Sequence, residues 1–317
     1  MLNIKMLPPL PNWLVIEPNN TCNLNCITCP TGNKTLGRPP RLMSIEEFKS
    51  IVDQVYGYVG KIVLFNYGEP FLNKDIFKMI KYATRKKILV KVSTNGMVTN
   101  NKEICKKIIE SGLQRLIICI DGLDDETINI SRPGAKIKNI LESFEYMRNA
   151  KRELKSKLPR VEMQYIVMKH NESQKEEIKK LAKKYNVDVF SEKTIGLDVR
   201  EKNFDKMAKM LLPENESSSR YFRDENGKAR LKGDVMNNCE IIKNSSVINS
   251  DGSVVPCCYD LFSEHVMGNV NNESLKSIWK GEKYKKFRVA VKSNRKFISM
   301  CGICPEGRVK ASDKKCI

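Results

Sequence analysis

Eleven cysteines occur in this 317-residue chain, and all but two fall in two groups. Three stand at Cys22, Cys26 and Cys29, in the run Thr21-Cys-Asn-Leu-Asn-Cys-Ile-Thr-Cys-Pro30. Six, Cys239, Cys257, Cys258, Cys301, Cys304 and Cys316, lie in the last 79 residues. Grouped cysteines form disulfides in an oxidising compartment and serve as metal ligands or nucleophiles in a reducing one. Residues 1–9 contain neither the apolar run nor the small-residue cleavage site of a secretory signal. No stretch reaches the roughly 18 consecutive apolar residues of a membrane span. The chain is therefore expected in the cytoplasm, off the membrane, with reduced thiols. Its length allows one large domain or two modest ones.

Three thiolates at spacings of four and seven suit few metals. Zinc favours four ligands from paired knuckles, and no neighbouring His or Cys completes such a set here. An iron–sulfur cube accepts three cysteines and leaves one iron open to an outside ligand; the remaining alternative is a plain loop. Cys22-x3-Cys26-x2-Cys29, placed after the short apolar segment Trp13-Leu-Val-Ile-Glu17, resembles the cluster motif of the radical S-adenosylmethionine (SAM) superfamily. The resemblance implies a [4Fe–4S] cluster on Cys22, Cys26 and Cys29, whose open iron chelates the amino and carboxylate groups of SAM. Thr28 departs from the family, which often has an aromatic residue there, but that side chain is not a ligand.

Apolar runs of strand length (13–17, 61–65, 88–92, 115–120, 161–168 and 187–191) alternate with amphipathic segments of helical period (44–58, 75–87, 101–111, 135–152 and 173–185). Ser44-Ile-Glu-Glu47 and Ser173-Gln-Lys-Glu176 read as capping boxes. Such alternation predicts an α/β fold with a helix-covered parallel sheet, whose chemistry gathers at the C-terminal strand ends. The resemblance makes this a partial (βα)6 TIM-like barrel over about 10–196. It further implies SAM contacts at Gly68-Glu69-Pro70, where the family holds the ammonium, and at Ser93-Thr94-Asn95, where it contacts the ribose. Ser131 and Arg132, read as loop residues before the next helix, become candidates for the SAM carboxylate, and Ile195-Gly196 resembles the adenine-stacking segment. Taken alone, each of these segments is also a turn signal.

Apart from a short helical stretch at 204–212, residues 197–236 are polar and turn-rich, as in a linker that wraps the barrel opening. Beyond them, residues 247–255 read as a β-hairpin turning at Asp251-Gly252, which brings Cys239 towards Cys257. Cys301-Gly-Ile-Cys304 adds a knuckle, and four such thiolates suit either zinc or a fully ligated [4Fe–4S] cluster. Cys-x12-Gly-x4-Cys followed by Cys-x2-Cys is similar to the SPASM and shorter twitch extensions of radical SAM enzymes. That likeness implies a small C-terminal α+β domain (237–317) after a barrel (1–196) and linker (197–236). It also implies one auxiliary [4Fe–4S] cluster on Cys239, Cys257, Cys301 and Cys304. Cys105 and Cys119 read as buried hydrophobes, and His170 and His265 as surface or capping residues. Arg132, Cys258 and Cys316 are the candidates for direct catalytic roles.

The family likeness implies reductive cleavage of SAM to a 5′-deoxyadenosyl radical that abstracts a hydrogen from the substrate. A single auxiliary site then favours two-electron dehydrogenation of a small sugar- or cyclitol-like hydroxyl compound, with flavodoxin or ferredoxin as electron donor. A maturase or epimerase acting on a peptide is the alternative within that chemistry. Lys and Arg outnumber Asp and Glu 56 to 37, for a formal charge of +19, which alone would suit a zinc-binding RNA-interaction protein. The lysines run along helical faces without aromatic interleaving, which argues against a nucleic-acid groove and leaves an anionic substrate or an acidic electron donor.

Overall fold

The computed structural model describes residues 9–309. Cys316, the terminal lysines and the N-terminal signal reading lie outside them. Six parallel strands, β1 (Trp13–Ile16), β2 (Lys61–Val63), β3 (Leu89–Thr94), β4 (Arg115–Cys119), β5 (Arg160–Val167) and β6 (Val189–Thr194), follow one another in sheet order. Helices α1 (Ile45–Val55), α2 (Ile76–Arg85), α3 (Lys102–Glu110), α4 (Asp125–Ser131), α5 (Ile137–Glu153) and α6 (Lys175–Lys184) connect them. Alternation decides which face the helices cover. Ile62, Val90, Val92, Leu116, Ile118, Met163 and Tyr165 are buried in the helix-facing core, whereas their neighbours along each strand face the other side.

Ser44 caps α1 as predicted: its hydroxyl accepts from the Glu47 N–H at 3.1 Å, and the Glu47 carboxylate accepts from the Ser44 N–H at 2.8 Å. Ser173 does not cap α6. It lies in a 3-10 turn, Glu172–Gln174, and Gln174 holds the cap position without a side-chain bond. Ser131 and Arg132 also differ from expectation. Asp124 caps α4 by accepting from the Thr127 N–H, so Ser131 ends a helix and Arg132 terminates it.

Residues 197–236 carry the expected short helix and, beyond it, strand pairs the sequence did not mark. They carry α7 (Phe204–Leu211), the hairpin β7 (Tyr221–Arg223) with β8 (Ala229–Leu231), and β9 (Asp234–Val235). Met207, Leu211 and Tyr221 form a second apolar cluster with Met168 and Ile195, and Ile27 of the cysteine loop packs against it.

After α8 (Glu240–Asn244), the predicted hairpin forms as β10 (Ser245–Ile248) and β11 (Ser253–Val255), with β12 (Gly268–Asn269) beyond it. β10 pairs in parallel with β1, so the hairpin continues the barrel's own sheet to nine strands, open at both edges. α9 (Leu275–Lys280), α10 (Glu282–Asn294), α11 (Ser299–Gly302) and β13 (Arg308–Val309) complete the chain, with β13 paired to β9. The main core runs without a break from Leu14 to Trp279, Tyr284 and Phe287. Among the described residues, no helix is long and apolar enough to cross a membrane.

Candidate active site

The loop after β1 carries the first cysteine group and is folded back on itself. Cys29 N–H donates to the Cys26 carbonyl, and Asn33 N–H to that of Cys29. A side chain at Gly32 would meet the Cys26 nitrogen and oxygen at 2.5 Å, so only glycine closes this turn. From the other side, Asn25 and Ile27 donate to the carbonyls of Pro133 and Ser131 at 3.1 Å, tying the loop to the end of α4. The three thiols are half-buried. Burial pushes Cys26 up to about 11, aided by the charges of Cys29 and Cys22, and burial likewise raises Cys22. Thiols that resist ionisation through burial and mutual repulsion are those a cationic iron site would stabilise as thiolates.

Strand ends converge on this loop. Gly68, at φ 104°, leaves no space for a side chain, because a Cβ would lie 2.5 Å from Asn19 Oδ1 and 2.6 Å from the Asn19 carbonyl. Glu69 is fully enclosed, and its carboxylate accepts from Thr94 Oγ1, Asn95 N–H and Phe71 N–H at 2.9, 2.9 and 3.3 Å. Burial outweighs those donors and pushes it up to about 7. Asn95 Nδ2 reaches Asn23 Oδ1 at 2.9 Å and Cys22 Sγ at 3.6 Å. Arg132 donates from Nε and Nη2 to Asp121 at 2.6 and 2.5 Å. Its burial opposes the charge, but Asp121 more than offsets this, with Cys26 close enough to contribute. Asn19 Oδ1, Thr31 Oγ1 and Ser131 Oγ are buried without a partner, as a rim built for a polar ligand would leave them. Pro70 opens a short 3-10 turn, Ser93 faces Cys119 across the inner wall, and Ile195 is buried in the second apolar cluster.

The second cysteine group lies just before α8, after β11, and in and after α11. Cys257, Cys301 and Cys304 are buried and Cys239 half-buried. Burial pushes Cys301 up to about 11, with the charges of Cys304 and Cys239 adding to it. Burial also raises Cys257, which feels Cys258, Cys301 and Cys304. Cys258, which the sequence left open, is exposed as a residue, while desolvation pushes its thiol up to about 11. Among the described residues, no three His, Cys, Asp or Glu side chains converge on a single-ion point. One zinc, at about 2.3 Å from each sulfur, would draw them to about 3.8 Å apart. A four-iron cube carries each thiolate on a separate iron and holds them wider.

Sequence reasoning missed Arg295. It is 1% exposed, and its Nη1 and Nη2 donate to the carbonyls of Asn238 and Glu306 at 2.8 and 2.9 Å. The guanidinium thus clamps the segments carrying Cys239 and Cys304, and its charge opposes the rise of the Cys301 thiol. Nothing in its surroundings, Ser293-Asn-Arg-Lys296, marks it in the sequence. The histidines also differ from expectation. Both His170 ring nitrogens are buried without a partner and burial lowers its pKa, while His265 packs its ring 5.1 Å from that of Phe287.

Residues 16–182 match the radical SAM superfamily, a little over half of the chain. The chain belongs to that superfamily. Residues 239–305 match SPASM, an iron-sulfur cluster-binding domain. The radical SAM domain carries a [4Fe–4S] cluster and SAM, and the SPASM domain implies an auxiliary iron–sulfur site. An AdoMet-dependent heme synthase of Methanosarcina barkeri (strain Fusaro / DSM 804) is 33% identical over 142 residues, 44% of this chain and 40% of that one. Mycofactocin maturase MftC of Mycolicibacterium smegmatis (strain ATCC 700084 / mc(2)155) is 27% identical, covering 55% and 42%. The chain thus spans less than half the length of either relative. Among solved structures, BtrN in complex with AdoMet and 2-DOIA superposes with a TM-score of 0.56 at 20% identity, over 94% of this chain and 93% of that one. Streptococcus suis SuiB bound to S-adenosylmethionine gives 0.68 at 17% identity, over 94% and 72%. These likenesses establish the fold.

Proposed function

We propose that Cys22, Cys26 and Cys29 ligate the radical SAM cluster, and that Cys239, Cys257, Cys301 and Cys304 ligate one auxiliary [4Fe–4S] cluster. SAM then lies against Gly68, Glu69, Pro70, Ser93, Thr94, Asn95, Ser131, Arg132 and Ile195. The chain divides into a barrel (1–196), a wrapping segment (197–236) and the auxiliary region (237–317). When bound, reduced cluster and SAM supply a carbon-centred radical able to take hydrogen from an unactivated carbon. The protein's part is to hold and shield. Asp121 fixes the Arg132 guanidinium beside Cys26, Asn95 fixes the loop at Cys22, and Ile27 with the second apolar cluster excludes water from one side.

The reaction read here is two-electron dehydrogenation of a small hydroxyl compound of sugar or cyclitol type, with a flavodoxin- or ferredoxin-like donor. The observation that carries it is Tyr67, whose hydroxyl donates to the Cys258 carbonyl at 3.0 Å and so fastens the auxiliary cysteine segment to the barrel mouth. Its phenol is raised by burial and by the charges of Cys258, Cys29 and Cys257 together. BtrN, whose structure was solved with AdoMet and 2-DOIA, spans nearly the same length as this chain, which supports a small substrate. A second reading, modification of a peptide, is favoured by the likeness to mycofactocin maturase and to SuiB.

The test is anaerobic reconstitution. About eight irons per chain are expected, from two four-iron clusters, with 5′-deoxyadenosine released from SAM under reduction. Failure to release 5′-deoxyadenosine overturns the reading. Deuterium transfer from labelled cyclitols or sugars, but not from peptides, separates the two substrate classes.

A further inference from the structure

The inner face of the sheet departs from the apolar packing that fills a closed barrel. Strand register puts Lys61, Lys91, Arg115 and Lys193 on that face, with Glu162 as the acid among them. The side chains do converge. The charges of Glu162, Arg115, Lys193 and Lys61 all bear on Lys91, whose pKa is lowered by burial despite Glu162. Glu162 is already committed: it accepts from Arg115 Nε and Nη2 at 2.9 and 2.8 Å and from Ser191 Oγ at 2.5 Å, with Lys91 Nζ at 4.0 Å. Among the described residues, neither Lys61 nor Lys193 has a carboxylate partner; Lys61 lies over the Trp13 ring at 4.7 Å. With Arg160, in register with Arg115, five cations therefore face one acid on a concave wall.

Above them the wall stays polar. Ser93 Oγ and Gln164 Nε2 lie 3.7 and 3.6 Å from Cys119 Sγ, and the Asp121–Arg132 pair and the cysteine loop follow. From Lys91 to Asn95, which touches Cys22, is four residues of strand, or about 13 Å. We propose that this wall seats the anionic end of the substrate, a phosphate or comparably charged acid group, while the reacting end lies at the Cys26 rim. The proposal rests on the reading above, that the substrate reacts inside the barrel, and deepens it to a substrate class. A multiply charged anion spanning Lys61, Lys91 and Lys193 gains charge-assisted bonds from two lysines with no carboxylate partner and from Lys91, which shares Glu162 with Arg115.

Pyrophosphate is the probe, with orthophosphate and citrate beside it to separate phosphoryl from carboxylate preference. Trp13 gives an optical readout, because an anion that draws Lys61 off its ring changes its fluorescence; Trp13→Phe removes the signal. In the cluster-reconstituted protein, saturable pyrophosphate binding is expected with a Kd below about 1 mM. It should weaken about tenfold in Lys61→Ala/Lys193→Ala and again in Lys91→Met. Arg115 is kept, since its loss would strand Glu162. Lys61 and Lys193 are exposed, so the double variant keeps its fold, checked by its melting temperature. No saturable binding to the wild type, or equal binding to the double variant, overturns the proposal. The same preparations are assayed for 5′-deoxyadenosine from SAM: release without anion binding sinks the anionic wall alone, and no release sinks the enzymatic reading beneath it.

Discussion

The Tyr67 hydroxyl donates to the Cys258 carbonyl at 3.0 Å, joining residues 191 positions apart in the chain. Tyr67 lies in the loop after β2, just before Gly68, and Cys258 follows β11, so this bond fastens the auxiliary cysteine segment to the barrel mouth. Tyr67→Phe keeps the ring and removes the donor, at a cost of about 1 kcal/mol. The auxiliary centre's electron paramagnetic resonance signal should then broaden or shift while the SAM-linked signal keeps its shape. An unchanged auxiliary spectrum with an unchanged melting temperature would show that the bond holds nothing in place.

Glu17, at the end of β1, is fully buried and receives a bidentate pair from Arg38 at 2.7 and 2.8 Å. It also accepts from the Ser250 N–H and hydroxyl, so one carboxylate ties β1, the segment after the cysteine loop and the β10–β11 turn together. Glu17→Gln leaves the nearly buried Arg38 uncompensated, and a loss of about 3–5 kcal/mol is expected in denaturant unfolding. The double variant Glu17→Gln/Arg38→Met should recover part of it. Additive losses would mean the two residues act independently.

Local signals made much of this legible from sequence. Ser44 with Glu47, the apolar strand runs and the Asp251-Gly252 turn each encode their own geometry within a few residues. What escaped depends on partners far along the chain. β10 pairs with β1 across more than 200 residues, and Arg295 is buried only because the carbonyls of Asn238 and Glu306 surround it. The cationic inner wall was hidden for a related reason. Lys61, Lys91 and Arg115 sit one to a strand among apolar neighbours, and only register brings them together.

Gly68 offers a steric test of the same mouth. Its φ of 104° and the 2.6 and 2.9 Å approaches to the Asn19 and Thr21 carbonyls oblige Gly68→Ala to move backbone as well as the Asn19 side chain. SAM binding by equilibrium dialysis should fall at least tenfold, about 1.4 kcal/mol. Gly57→Ala, with nothing within 4 Å of the added methyl, is the control and should stay within about 0.5 kcal/mol of wild type. Equal behaviour of the two variants would refute the close approach at Gly68.

Glu69 makes stability depend on pH in a direction opposite to that of an ordinary paired carboxylate. Burial raises it from 4.5 to about 7, so the folded chain retains a proton that the unfolded chain has released. The resulting stability is complete below about pH 4.5 and drains away as pH rises towards 7, by about 3 kcal/mol in all. Glu69→Gln cannot titrate, so its unfolding free energy should lack this decline even though the amide meets the donors from Thr94 and Asn95 less well. Urea unfolding of both reconstituted proteins at pH 5, 6, 7 and 8 reads the difference, because all other titrations cancel between them. If the gap between wild type and variant stays constant across that range, Glu69 is ionised throughout, and its three donors outweigh its burial.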